Sequence, residues 1–151
     1  MTDELAVASS WETSIGERRS RYGQGGPHLP RLLLVDDDAL HLRAAARALG
    51  RQFDVTSAAN GEEALARFVP GVFEVVVTDY QMPAMTGIEL LEQVRLLEPR
   101  VRRVLMSGIQ IPGIAGYIGS GIVEHFLLKP VDLGNVLAPL LGLEHQRADE
   151  N

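Results

Sequence analysis

The chain has 151 residues, of which 46% are apolar; 20 acidic residues against 14 basic ones give a formal charge of −6, and there is no cysteine. This is room for one ordinary domain with a buried core and not for two. The absence of cysteine excludes a disulfide framework and a Cys-ligated zinc or iron site, and the acidic balance argues against a nucleic-acid surface.

Residues 1–30 combine Ser, Gly and charges with the string GQGGPHLP, which sustains neither a helix nor a central strand, and they are expected to form a tail. Leu5, Val7, Trp11 and Ile15 make one short apolar stripe there, the pattern of a marginal, fraying helix. The basic knot Arg18, Arg19 and Arg21 reads as solvated tail. The acidic N-terminus does not resemble a signal peptide, and no run approaches the ~18 apolar residues of a membrane span, so the protein is read as cytoplasmic, with neither membrane nor nucleic acid among its partners.

From residue 31 short apolar runs alternate with helical periodicity. The runs are RLLLV (31–35), DVTSA (54–58), VFEVVV (72–77), VRRVLM (101–106) and VEHFLL (123–128). Helix-length connectors lie between them, and a last segment follows from Asp132. Strands buried on both faces and separated by such connectors predict a fivefold βα repeat, a doubly wound open parallel sheet over residues 31–142, with a second tail at 143–151. Asp38 is placed to cap the first helix, Asn60 with Glu62 and Glu63 to open the second, and Thr86 with Glu89 has capping-box spacing before the third. Glycines at 113, 116, 119 and 121 make the fourth helix marginal, at about 1 kcal/mol each relative to alanine. Such a helix is expected to be loose until modification or a partner orders it. Pro139 falls inside the last one, where an interior proline costs about 3 kcal/mol or kinks the helix.

In an open parallel sheet all carboxyl ends of the strands share one rim, where ligands bind. The residues just past the apolar runs are Asp36, Asp37 and Asp38, then Asp79, Ser107 and Lys129. Two carboxylates about 5 Å apart repel by roughly 3 kcal/mol at an effective dielectric near 20. Lys129 offsets one charge, and the excess left on Asp36, Asp37 and Asp79 suits a divalent cation; all-oxygen ligands point to Mg2+, or Mn2+, rather than zinc. A hydroxyl, an ammonium and such an ion around a carboxylate are the groups that stabilise a transferring phosphoryl group, with the carboxylate as nucleophile. Each residue also has a plainer reading, as helix cap, turn residue or surface lysine; their joint placement at four strand ends favours a site.

LLLVDDD, ANGEEAL, VVVTDYQMPAMTGIELL, VLMSG and FLLKP, in that order across residues 31–142, resemble the receiver domain of bacterial two-component response regulators, proteins similar to CheY. The resemblance implies the flavodoxin-like strand order 2-1-3-4-5. It implies that Asp79 is the phosphoacceptor, served by a histidine kinase or a histidine phosphotransfer protein. It further implies that Asp36, Asp37, Asp79 and the backbone carbonyl of Gln81 bind Mg2+, Asp36 through water. Ser107 and Lys129 would meet the phosphate oxygens, and Ser107 with Phe126 would form the switch. The Lys129–Pro130 bond is one the family often holds cis.

Phe126 stands where a tyrosine is commoner, and an ordinary core aromatic is the competing reading of that position. The histidines at 28, 41, 125 and 145 have no metal or phosphorelay spacing and read as solvated surface. Gln81 and Ile109, two positions beyond Asp79 and Ser107, are expected to border the path of attacking water. Because only EHQRADEN follows Leu143, a stand-alone receiver acting through an unknown downstream protein is expected, one that catalyses only its own phosphorylation and dephosphorylation. Two alternatives stay open: a phosphatase similar to the haloacid dehalogenases, using the D-x-D of Asp36 and Asp38, and a receiver-like module that no longer takes phosphate.

Overall fold

In the computed structural model, residues 28–143 are described; the expected tail stripe at 5–15, the basic knot at 18–21 and His145 lie outside them. Among the described residues five strands, β1 (Arg31–Val35), β2 (Asp54–Ala58), β3 (Val75–Asp79), β4 (Arg102–Ser107) and β5 (His125–Leu128), alternate with five helices. The helices are α1 (Ala39–Leu49), α2 (Gly61–Arg67), α3 (Gly87–Leu97), α4 (Ile114–Gly119) and α5 (Leu133–Leu140). All strand pairs are parallel, in the order β2-β1-β3-β4-β5. The expected fold class is the one observed. Its order reverses direction between β1 and β3, so the ends of these two strands open on the crevice where such sheets bind ligands.

The period-2 alternation of a strand divides the core into two layers. Leu33, Val35, Val76 and Leu105 face one side, where Ala64 of α2, Leu90, Leu91 and Val94 of α3, and Ile114 and Tyr117 of α4 cover them. Leu32, Leu34, Val75, Val77, Val104 and Met106 face the other, against Leu49 of α1 and Leu133, Leu137 and Ala138 of α5. β1 and β3 are buried along their whole length, which is why their sequences read as unbroken apolar runs rather than alternating ones. The edge strands β2 and β5 are only partly buried.

Arg31 pairs with Asp54, its register partner on β2, at 3.3 Å, and Arg102 Nε donates to Glu124 at 2.8 Å. These pairs fasten the amino ends of neighbouring strands, at the opposite edge from the crevice. The predicted caps are in place. Asp38 accepts from the N–H groups of Leu40 and His41, Asn60 accepts from that of Glu63, and Thr86 with Glu89 closes a reciprocal capping box. α5 runs through Pro139 without breaking. α4 forms despite its glycines but has six residues, none fully buried, and begins at Gly113 in the left-handed region (φ 81°) without a side-chain cap. Among the described residues no helix is long and apolar enough to cross a membrane.

Candidate functional site

The carboxyl ends of β1, β3, β4 and β5 bring the predicted polar residues to one rim. Asp36, immediately after β1, is buried, and its Oδ1 accepts the Asp38 N–H at 3.0 Å. Asp37, next along, is exposed. The Asp38 side chain is occupied as the α1 cap. Asp79 is the last residue of β3 and is 8% exposed. Its strand keeps register with β4 up to Met106, and the Tyr80 N–H then bonds to the Met106 carbonyl at 2.8 Å. The Asp79 end of β3 is therefore held against β4 through the aspartate and one residue beyond it.

Lys129 reaches in from the end of β5, with Nζ 3.1 Å from Asp79 Oδ1 and 3.5 Å from Asp36 Oδ2. Its backbone N–H bonds to the Ser107 carbonyl at 2.8 Å, and the bond to Pro130 is cis. Burial holds the Asp79 carboxyl above the usual aspartate pKa, opposed by the hydrogen bond and charge of Lys129, reinforced by the charge of Asp36 and opposed again by the Tyr80 N–H. Oxygens of Asp36, Asp37 and Asp79 lie within 4.8 Å of one another. Three carboxylates at this spacing, two of them buried and without sulfur donors, fit a hard divalent cation such as Mg2+. Asp37, Tyr80, Gln81, Met82, Pro83 and Thr86 line a surface depression of about 450 Å3 beside them.

The other expected residues are placed less simply. Ser107 is fully buried at the end of β4, but its hydroxyl donates to the Ile109 carbonyl at 2.7 Å and accepts the Ile109 N–H at 3.1 Å, so it is turned along its own loop. Phe126 is half-buried against the α2–α4 side of the core. Gln81 is exposed, and Ile109 is 49% exposed.

His41 lies at the surface, as expected, but it also reaches the site. The His41 side chain is 56% exposed, yet its Nδ1 lies 3.2 Å from Asp36 Oδ2 and 3.3 Å from Lys129 Nζ. His125 also approaches a carboxylate, that of Glu124, at 3.7 Å. The available sequence signal was helical direction: side chains lean towards a helix N-terminus, so a residue in the first turn after the Asp38 cap leans back over the end of β1. Gly87 was also missed as a site residue. A Cβ there would stand 2.2 Å from the Asp79 carbonyl oxygen.

The family model for the response regulator receiver domain matches residues 32–140. The chain belongs to this family of signalling phosphoacceptors, which is distinct from the metabolic enzymes. Among its relatives, the two-component response regulator ORR11 of Oryza sativa subsp. indica is 34% identical over 123 residues, spanning 78% of this chain and 82% of that protein. The hydrogenase transcriptional regulatory protein HoxA of Cupriavidus necator is 34% identical over 101 residues, 66% of this chain and 21% of HoxA. The chain spans between a fifth and a third of the length of HoxA and of similar transcriptional regulators. A CheY-like receiver domain protein of Methanospirillum hungatei superposes with a TM-score of 0.69 at 26% identity, covering 82% of this chain and 99% of that one. CheY4 of Vibrio cholerae gives 0.68 at 25% identity, covering 76% and 98%.

Proposed function

We propose that Asp79 accepts a phosphoryl group from the phosphohistidine of a histidine kinase or histidine phosphotransfer protein, in a Mg2+-dependent reaction, and that the phosphorylated domain changes its protein contacts. The observation that carries this reading is the buried Asp79 carboxylate at the end of β3, 3.1 Å from the Lys129 ammonium. An Asp79 carboxylate oxygen attacks the phosphorus, the P–N bond to the donor imidazole breaks with its electron pair left on the ring, and an acyl phosphate forms. Lys129 pairs with a phosphoryl oxygen as charge builds there, and the Ser107 hydroxyl leaves Ile109 to hydrogen-bond another. That rotation opens space into which Phe126 turns. Asp36, Asp37, Asp79 and the Gln81 carbonyl would hold the Mg2+, which when bound neutralises the acidic cluster and the phosphoryl oxygens. Reactants of this kind belong to the cytoplasm, and output passes to a further protein surface.

Intact mass spectrometry after incubation with Mg2+ and acetyl phosphate tests the assignment. One added phosphoryl group, absent in Asp79→Asn and present in Asp36→Asn at a reduced level, is the expected result. Loss of the adduct in Asp36→Asn alone would put the phosphatase-like reading first. A wild-type chain that takes phosphate neither from acetyl phosphate nor from a phosphorylated histidine protein would make it a phosphate-independent binding module.

A further inference from the structure

The Lys129 ammonium has three hydrogens to place and no capacity to accept. Its side chain is 17% exposed, and three polar atoms surround Nζ: Asp79 Oδ1 at 3.1 Å, Asp36 Oδ2 at 3.5 Å and His41 Nδ1 at 3.3 Å. The same His41 nitrogen is 3.2 Å from Asp36 Oδ2. A neutral ring nitrogen either donates or accepts, so it serves Asp36 or Lys129 but not both. Asp36 is already compensated without His41, Oδ1 by a hydrogen bond from the Asp38 N–H and Oδ2 by the Lys129 ammonium at 3.5 Å, though each oxygen has room for a further donor. Were Nδ1 to carry the hydrogen, two donors would face each other at 3.3 Å; bare, it faces Asp36 Oδ2 at 3.2 Å, an oxygen whose charge Lys129 offsets. The third ammonium hydrogen would then lack a partner among the described residues.

We propose that His41 is a positioning residue for Lys129: its bare Nδ1 accepts the third ammonium hydrogen, with the ring hydrogen on Nε2, and holds the ammonium between Asp36 and Asp79. A lysine side chain has four rotatable bonds, and a third acceptor on the α1 side fixes where its charge stands before a phosphoryl group arrives. The kinetic consequence rests on the phosphoacceptor reading. Orienting a charged group in advance lowers the barrier of the step that uses it, without His41 touching the reacting atoms.

Two measurements on the full chain test the inference, and His41 is exposed enough for its substitution to leave the fold intact. Long-range proton–nitrogen spectra in alkaline buffer are expected to show the His41 ring in the Nε2–H form; an Nδ1–H ring would overturn the hydrogen bond to Lys129. In Mg2+ and acetyl phosphate, His41→Leu is expected to slow labelling of Asp79 about tenfold, as loss of a supporting partner outside the reacting atoms does. His41→Asn, which returns an acceptor near the Nδ1 position, is expected to restore the rate to within about twofold of wild type. Equal rates in wild type and His41→Leu, or equally slow rates in the Leu and Asn variants, would overturn the positioning role. A wild-type chain that takes no phosphoryl group would defeat the phosphoacceptor reading and its kinetic corollary, while the ring spectrum would still decide the hydrogen bond.

Discussion

Gly87, the first residue of α3, packs its Cα against the backbone of Asp79, so that a Cβ would come within 2.2 Å of the Asp79 carbonyl oxygen and 2.8 Å of Leu105 Cδ1. The Gly87 N–H meanwhile bonds to the Tyr80 carbonyl at 2.9 Å. The absence of a side chain lets the loop between β3 and α3 close directly over the end of the strand, and this loop carries Gln81. Gly87→Ala is expected to destabilise the domain by about 1–3 kcal/mol, as overpacking does, because the nearest atom it meets is backbone and cannot swing away. Urea unfolding measures this, and a change within about 0.5 kcal/mol of wild type, the range of ordinary surface substitutions, would contradict it.

Burial makes the charged form of Asp79 costly to the fold. Because burial raises its folded-state pKa, the ionised carboxylate contributes instability at neutral pH, and the domain regains stability as pH falls through the raised value towards the unfolded one. Asp79→Asn keeps the side-chain shape and removes the charge. A Tm gain of a few degrees in metal-free buffer near pH 7 is expected, about 4–8 °C for each kcal/mol relieved in a domain near 100 residues. The variant should also lose the rise in stability on mild acidification. Scanning calorimetry of both proteins across pH reads both effects; a lower Tm for the variant would mean that the Lys129 pair outweighs burial.

Much of this arrangement was legible because strand ends are legible. Runs such as RLLLV end abruptly at a polar residue, and in a parallel sheet that end has one possible location, the carboxyl rim; Asp36, Asp79 and Lys129 could be brought together without placing any helix accurately. Boundaries shifted where apolar character extended beyond the ladder: VFEVVV was read as starting at Val72, but Val72 and Phe73 pack beneath the sheet, and β3 begins at Val75. His41 was not legible from composition or spacing, because its contact with Lys129 spans 88 positions and depends on a side-chain direction. The orientation of Ser107 was equally hidden, since a serine after a strand has its own loop to bond as well as the site.

Glu124 and Arg102 give the acid side of the stability profile. The hydrogen bond from Arg102 holds the Glu124 carboxyl below the usual glutamate range, with burial opposing and the charge of Arg102 reinforcing it. A lowered folded-state pKa supplies stability that is present above the unfolded value and is lost as pH falls through the folded one. Both side chains are about one third exposed, so solvent screening limits the contribution to at most about 1 kcal/mol. Glu124→Gln is expected to lower stability slightly at pH 7 and to flatten the decline below about pH 4.5, the ordinary glutamate region. Urea midpoints measured from pH 7 down to acid would show wild type and variant converging; parallel curves would contradict the assignment.

α4 is the element whose opening should need the least energy. It has six residues, none fully buried, while the 11-residue α3 buries Ile88, Leu90, Leu91 and Val94 and carries a capping box. Gly116 and Gly119 lie in α4 with no atom beyond their own helical backbone within 4 Å of where a Cβ would stand, so they add backbone freedom without admitting a close contact. What restrains the segment sits at its far end: Arg103 donates to the carbonyls of Gly121 at 2.8 Å and Ile122 at 3.2 Å, and Arg95 donates to that of Ser120 at 2.7 Å. Local stability follows buried contact, so α4 amides are expected to exchange at least about 100-fold faster than those of α3, a difference of roughly 3 kcal/mol in opening free energy. If phosphorylation orders the segment, a beryllofluoride-loaded sample should narrow that gap. Hydrogen exchange read by mass spectrometry decides it: strong protection of residues 112–121, equal with and without the phosphate analogue, would show that the glycines leave α4 as firm as its neighbours.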